Sequence, residues 1–151
     1  YCKPHGTDTR EKDLKKLYDE GKKAFGFYCG KGEWFLLTLK NIDFMSQMLP
    51  NVSKASQSLD VSVLHTLILE KIFGIDKENM AKQINLTYTK FFTEAIDGVD
   101  KGEFQCSFVL NPTRVTEIRD VAAAGEKMPQ KSTYFYPKMI TGMVMNNLGV
   151  D

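Results

Sequence analysis

The segment from Met128 to Lys138 concentrates residue types that bind anions. It carries two lysines, two hydroxyl side chains and three aromatic rings, and Pro129 and Pro137 stiffen its backbone. An ammonium group supplies charge to a phosphate or carboxylate, and hydroxyl and backbone N–H groups supply directed donors. The predicted anion contacts are Lys131, Ser132, Thr133 and Lys138, and Tyr134 or Tyr136 is predicted to stack on a flat ligand. The alternative is a rigid surface loop whose aromatic rings anchor it to the core. The segment is not a P-loop, because the glycine-rich turn that precedes the Lys-Ser/Thr pair is absent.

A second candidate is the turn Asn111-Pro112-Thr113-Arg114, which joins a strand pattern to a helix start. Anions and catalytic side chains often lie where a helix begins. A turn followed by a helix cap explains Asn111, Pro112 and Thr113 equally well. The turn and cap do not explain Arg114. Because the turn joins a strand end to a helix start, Asn111 and Arg114 are also predicted to contact the ligand.

The remaining reactive residue types predict no further site. His65 lies in a very apolar helix pattern, where a hydrogen-bonded core histidine is the simplest interpretation. The cysteines Cys2, Cys29 and Cys106 are few and odd in number, which is typical of reduced thiols in a cytoplasmic protein. No C-x-x-C or H-x-x-x-H spacing occurs, so no metal is expected. The residues identify neither a catalytic group nor a cofactor.

The elements that must position these residues alternate between strand and helix patterns. Helices are predicted near residues 8–21, 42–49, 60–74, 91–101 and 114–124, with Asp60 capping the most apolar of them. Strands are predicted over 24–29, 33–39, 84–89, 104–110 and 139–145, the first two joined as a hairpin by Gly30-Lys31-Gly32. The polar, serine-containing stretch 50–58 predicts a mobile loop. The pattern indicates a single α+β domain over residues 1–151, with a mixed sheet of about five strands, an N-terminal hairpin and helices packed on the sheet.

Composition narrows the class of protein. The chain has 151 residues, which is enough for one self-supporting core. The formal net charge of +1 argues against a dedicated nucleic-acid binder, which normally carries a basic excess on one face. No apolar run approaches the roughly 18 residues of a membrane span, so no membrane partner is expected. The chain begins with a polar stretch and without Met, which indicates a piece of a larger cytoplasmic protein.

Four stretches together resemble one protein family. They are Leu59–His65 with Leu69-Glu70, Phe108–Thr113, Ala123–Pro129 and Lys131–Lys138. They are similar to the C-terminal region of the bacterial and archaeal domain-of-unknown-function family numbered one thousand and fifteen. The resemblance covers most of the chain from about Gly21 onward, and its last stretch is the longest and most specific.

The resemblance implies an upstream region that this chain does not contain. Members of the family are much longer and carry an Ala-Asp-Gly-His-His-Arg-Tyr motif upstream, and some are labelled ParB-like. A similar Gly-His-Arg element in ParB-like proteins contacts nucleotide phosphates. No His-His-Arg occurs in this sequence, so that element cannot be assigned to any residue here.

Two functions are therefore expected, in order. The first is a domain that completes a site for a phosphate-bearing ligand, such as a nucleotide, while the catalytic residues lie in the protein's own N-terminal region. On that expectation the 151-residue piece alone is inactive. The alternative is a non-catalytic interaction or assembly domain, whose aromatic segment packs against the N-terminal region or a second copy of the chain.

Overall fold

A three-stranded antiparallel sheet lies between two sets of helices in the computed structural model, which describes residues 10–129 and 131–133. The strands are β1 (Ala24–Tyr28), β2 (Trp34–Thr38) and β3 (Ser107–Leu110), in the order β2-β1-β3. β1 and β2 form the predicted hairpin, with Tyr28 opposite Trp34. Its turn needs the two glycines, because Gly30 and Gly32 both have positive φ, at 89° and 79°.

Seven α-helices surround this sheet within the described residues. They are α1 (Arg10–Asp19), α2 (Phe44–Met48), α3 (Lys54–Gln57), α4 (Asp60–Val63), α5 (Lys77–Lys82), α6 (Phe92–Asp100) and α7 (Val115–Ala123). α4 continues directly into a π-helical segment, Leu64–Glu70. In the part of the chain that is described, no helix has both the length and the apolar character needed to cross a membrane.

The strand register sends alternate side chains to two separate cores. On one face, Phe25 packs with Met45, Val63, Leu64 and Leu69 from α2, α4 and the π-helical segment. On the other face, Tyr28 and Trp34 pack with Val99 of α6. The most apolar helix of the sequence is thus central, as predicted, because residues of α4 and the π-helical segment fill the larger core.

The second core depends on a glycine in the central strand. Trp34 is 1% exposed and lies directly over Gly26, where a Cβ atom would come within 2.0 Å of the indole ring. A side chain at position 26 would therefore displace the largest buried residue of the domain.

The α+β class is confirmed, but the predicted five-stranded mixed sheet is wrong for the described residues. Residues 84–89 alternate apolar and polar side chains, yet they form turns and irregular chain. Asn85 has a φ of 58°, which breaks an extended strand, while Leu86 packs on the larger core as part of a loop. The predicted strand at 104–110 is shortened to β3, and the candidate at 139–145 lies outside the described residues.

The predicted mobile loop at 50–58 contains α3 instead. Ser53 caps this helix by accepting a hydrogen bond from the backbone N–H of Ser56. The Glu126 carboxylate accepts hydrogen bonds from the backbone N–H and the hydroxyl of Ser53, each at 2.7 Å, and from the Ser56 hydroxyl. Those hydrogen bonds lower the pKa of Glu126. A contact about 70 residues away in sequence therefore orders a stretch whose composition is typical of a loop.

Substitution Gly26→Ala is expected to destabilise the domain by about 1–3 kcal/mol, because the added methyl group collides with Trp34. Chemical denaturation should measure the loss. The matched test is a double-mutant cycle with Trp34→Phe, whose smaller ring leaves room for the methyl group. The cost of Gly26→Ala should fall in the Trp34→Phe background. An equal cost in both backgrounds would show that the indole contact is not the cause.

Candidate functional site

A cleft of about 170 Å³ opens between the C-terminal end of α1 and the first turn of α7. Three cationic and two carboxylate side chains line it, together with a tyrosine, a threonine and a glycine. The lining residues are Tyr18, Gly21, Lys22, Lys23, Asp60, Arg114, Thr116 and Glu117. A larger depression of about 480 Å³ beside Phe44 is a shallower surface, and Lys40 is its only charged lining residue. The smaller cleft is therefore the better candidate for a specific polar ligand.

The inner wall of the cleft is an ion cluster centred on Lys23. Its Nζ lies 3.0 Å from Asp60 Oδ1 and 3.0 Å from Glu117 Oε1. The three side chains are 22%, 14% and 22% exposed, so the cluster is largely shielded from water. Lys23 precedes β1, Asp60 begins α4 and Glu117 lies in the first turn of α7, so one ammonium group joins three elements.

Burial and charge act in opposite directions on this cluster. Burial lowers the pKa of Lys23, but the attraction of Asp60 and Glu117 is larger in total and leaves that pKa above its ordinary 10.5. Burial raises the pKa of Asp60 above its ordinary 3.8, and the pull of Lys23 offsets this only in part. The nearby Glu117 raises the pKa of Asp60 further, while Arg114 lowers it slightly. Lys23 therefore stays protonated at neutral pH and neutralises one of its two carboxylate neighbours.

Arg114 forms the outer wall of the cleft. Its guanidinium lies 4.1 Å from the centre of the Tyr18 ring and donates a hydrogen bond to the Tyr18 carbonyl. Its backbone N–H donates to Glu117 Oε2 at 2.9 Å, so the carboxylate of Glu117 also caps the start of α7. Stacking on Tyr18 holds the Arg114 side chain in one orientation beside the cleft.

The structure brings the two predicted ligand segments together. The Thr113 hydroxyl donates to the Ser132 carbonyl at 2.9 Å, which joins the Asn111–Arg114 turn to the turn at residues 131–133. Lys131 is exposed and has a φ of 60°, and Thr133 is partly buried. Lys131 and Arg114 therefore belong to neighbouring turns, although 17 positions separate them in the sequence.

Two predicted contacts are already used inside the fold. The Ser132 hydroxyl donates to the Pro129 carbonyl at 2.6 Å, so it stabilises its own turn. The Asn111 side-chain amide donates to the Leu14 carbonyl at 3.3 Å, which ties the turn to α1. Tyr134, Tyr136 and Lys138 lie outside the described residues.

The sequence pattern does not identify the centre of the cleft, because it predicts no role for Lys23 or Glu117 and predicts Asp60 only as a helix cap. In the structure Leu59 is the N-cap residue of α4, and Asp60 is the first residue of that helix. No spacing links positions 23, 60 and 117, and only the packing of β1, α4 and α7 brings them within 3.0 Å. The one available signal was an acidic residue at each of two helix starts, a pattern that ordinarily reflects the helix dipole.

His65, the histidine of the apolar helix pattern, does not line the cleft. His65 is partly buried, which lowers its pKa, and it belongs to none of the three buried clusters of the described residues, so the predicted core position is only partly matched. Among residues 10–129 and 131–133, no three His, Cys, Asp or Glu side chains are grouped to hold a metal ion.

Comparisons with known proteins assign no relative to the chain. No protein-family model, no curated protein and no solved structure matches it.

Substitution Lys23→Met is expected to destabilise the domain by about 1–3 kcal/mol, because it leaves two partly buried carboxylates facing each other without a counter-charge. Lys22→Met is the matched control: Lys22 is 58% exposed and pairs with Glu20 at the surface, where such pairs contribute less than about 1 kcal/mol. Urea denaturation of both variants should separate them. Equal stability losses would show that the ion cluster does not hold the three elements together.

Proposed function

We propose that the cleft beside α7 binds the phosphate group of a small phosphate-bearing ligand, such as a nucleotide. The observation that carries this proposal is the set of three cations, Lys22, Lys23 and Arg114, around the first turn of a nine-residue helix. On this proposal the domain completes a binding site, and other parts of a longer protein supply the reacting groups.

Arg114 is the principal contact in this proposal. A guanidinium has five N–H donors in a planar fork, and the bond to the Tyr18 carbonyl uses only part of that capacity. The remaining donors suit two oxygens of a phosphate. Stacking on Tyr18 orients the fork in advance, which lowers the entropy that binding must remove.

The carboxylates of the cleft do not prevent anion binding. Lys23 contacts both Asp60 and Glu117, so much of their negative charge is offset within the wall. By residue type, the lining has three basic and two acidic side chains. Backbone N–H groups at the start of α7 and the Thr116 hydroxyl add directed donors.

Lys131 extends the proposed site. The Thr113–Ser132 hydrogen bond places its turn next to the turn that carries Arg114. Lys131 is exposed, so its ammonium group can meet a ligand that projects beyond the cleft. We assign Lys131 to a second phosphate or an adjoining anionic group of the same ligand.

The wider setting is part of the same proposal. We place the domain at the C-terminal end of a larger cytoplasmic protein of the family of unknown function that it resembles. The four quoted sequence stretches support the family, and the small, odd number of cysteines supports the compartment. On this proposal any enzymatic activity belongs to an upstream region of that larger protein.

Binding is tested by titrating the domain with inorganic phosphate, pyrophosphate and ATP, with sodium chloride at matched ionic strength as the blank. Thermal unfolding and calorimetry are the readouts, and a ligand at ~100 times its Kd should stabilise the fold by roughly 2.7 kcal/mol. Arg114→Met should weaken binding about tenfold or more, because hydrogen bonds to charged groups contribute about 1.5–3 kcal/mol.

The matched control is Arg119→Met on the same helix. Arg119 is 71% exposed and pairs with its neighbour Asp120 outside the cleft, so its loss should leave binding unchanged. The ligand-dependent shift is compared within each variant, which removes differences in intrinsic stability. The same affinity in wild type and Arg114→Met, or no shift beyond the chloride blank, would refute the site.

A second candidate function, self-assembly, is favoured by a row of aromatic rings on the sheet face that bears the larger core. The row comprises Phe35, Phe27, Phe108 and Phe73, whose successive ring centres lie 6.1, 5.0 and 5.8 Å apart. Phe73 is 46% exposed, and the neighbouring Ile72 is 73% exposed. Clustered exposed apolar side chains are typical of surfaces that contact another protein.

On this second candidate, the domain associates with a second copy through the aromatic row. Sedimentation velocity should then show a concentration-dependent dimer that Ile72→Asp weakens at least tenfold, because a charge would be buried at the interface. Val115→Asp is the control, since Val115 is 81% exposed and lies at the start of α7, outside the row. A monomer at every concentration, or equal effects of the two variants, would exclude assembly through this surface.

A further inference from the structure

The β1–β3 pairing carries two cysteines into opposite positions. β1 and β3 are antiparallel, and the last matched pair at this end of the ladder is Tyr28 with Ser107. Cys29 directly follows β1 and Cys106 directly precedes β3, so extending this register by one step beyond the paired residues puts the two cysteines opposite each other. Both cysteines are free thiols and both are partly exposed.

Opposed residues in antiparallel sheets have two alternating Cα–Cα separations, and the hydrogen-bond pattern assigns Cys29 and Cys106 to the shorter one. The backbone N–H of Cys29 donates to the Glu33 carbonyl on the β2 side. It therefore points away from β3, which makes the Cys29–Cys106 position a non-hydrogen-bonded pair. Cα atoms in such pairs are about 4.5 Å apart, and disulfides span Cα separations of about 4.4–6.8 Å.

Side chains of β1 and β3 on the same face as the two cysteines are in contact across the two strands. Phe27 and Phe108 are the pair two residues inward on the same face, and their rings stack with centres 5.0 Å apart. The two thiols also interact electrostatically. Burial raises the pKa of Cys106, and repulsion from Cys29 raises that pKa further.

We propose that Cys29 and Cys106 form a reversible intramolecular disulfide that links β1 to β3 when the protein meets an oxidising thiol–disulfide pool. This inference is independent of the proposed phosphate site. It predicts a redox modification in a protein whose three cysteines otherwise indicate reduced thiols.

The oxidant in this proposal is a low-molecular-weight disulfide. The thiolate of one cysteine attacks the small disulfide, forms a mixed disulfide and releases one small thiolate, which takes up a proton. The second cysteine thiolate then attacks the protein sulfur of the mixed disulfide and displaces the second small thiolate. The two cysteines lose two protons and two electrons, and the small disulfide is reduced to two thiols.

The surroundings of Cys29 influence the rate. Burial and then the Glu33 carboxylate, 3.6 Å from the sulfur, raise the pKa of Cys29. Because only the thiolate reacts, oxidation should be slow at neutral pH and should accelerate as the pH rises toward 9.

The test uses the full chain with Cys2→Ser, which removes the third thiol. The folded protein is incubated with oxidised glutathione at pH 7 and pH 8.5, free thiols are alkylated, and intact mass and peptide mapping identify the products. We expect a monomer that has lost two hydrogen atoms, carries no glutathione and yields a Cys29–Cys106 linked peptide. Its Tm should rise by roughly 5–15 °C, because the link closes a loop of about 80 residues, and dithiothreitol should reverse the rise.

Cys29→Ser and Cys106→Ser serve as matched controls. Each should retain a glutathione adduct on its remaining cysteine, because the resolving thiol is gone. Three results would each overturn the proposal. They are stable glutathione adducts on both cysteines of the Cys2→Ser protein, disulfide-linked dimers, and a Cys29–Cys106 link that forms only in denaturant.

Discussion

The ion cluster around Lys23 is the interaction on which the arrangement of this domain most depends. Its ammonium group contacts carboxylates from the starts of α4 and α7, and Lys23 itself leads into β1. The Lys23 carbonyl also accepts a hydrogen bond from the Leu39 N–H, which closes the β1–β2 hairpin at that end. A partly buried charge tolerates little displacement of its partners, since each carboxylate would lose its counter-charge as it moved away. The same cluster therefore orients the helices and forms the inner wall of the cleft.

Polar contacts between residues far apart in the sequence fix the position of α7 more narrowly than apolar packing does. Leu59, Val61 and Val121 pack α4 against α7, yet apolar packing alone allows helices to slide. The directional contacts of Lys23 with Glu117, and of Glu126 with Ser53 and Ser56, restrict that freedom on both sides of the contact. The residues that position α7 therefore also determine which groups in its first turn face the cleft.

The central strand shows how one backbone position can serve two neighbouring surfaces. Gly26 provides the space that Trp34 fills on the α6 side of the sheet, while Phe25 and Phe27 pack on the other side. The end of the same strand holds Tyr28, whose hydroxyl donates to Asp100 at 2.5 Å and accepts from the Gly32 N–H. Cys29 follows immediately, so the proposed redox pair lies beside the core that Tyr28 and Trp34 form.

The sequence by itself determined the β1–β2 hairpin, α1, α6, α7 and the helix that begins at α4. Turn glycines and apolar periodicity were sufficient there, because both act over a few residues. It also singled out the Asn111–Arg114 and Lys131–Thr133 turns, whose composition is unusual locally. The sequence did not indicate α3 or α5, and it predicted a strand at residues 84–89. Only the tertiary structure decided that residues 84–89 leave the sheet, that Glu126 orders the stretch at 50–58, and that Lys23, Asp60 and Glu117 meet. Each of these outcomes depends on partners that lie far apart in the chain, and residue type and spacing carry no information about which distant elements will pack together. The opposition of Cys29 and Cys106 is of the same kind, because the register between β1 and β3 is set by side-chain packing across nearly eighty intervening residues.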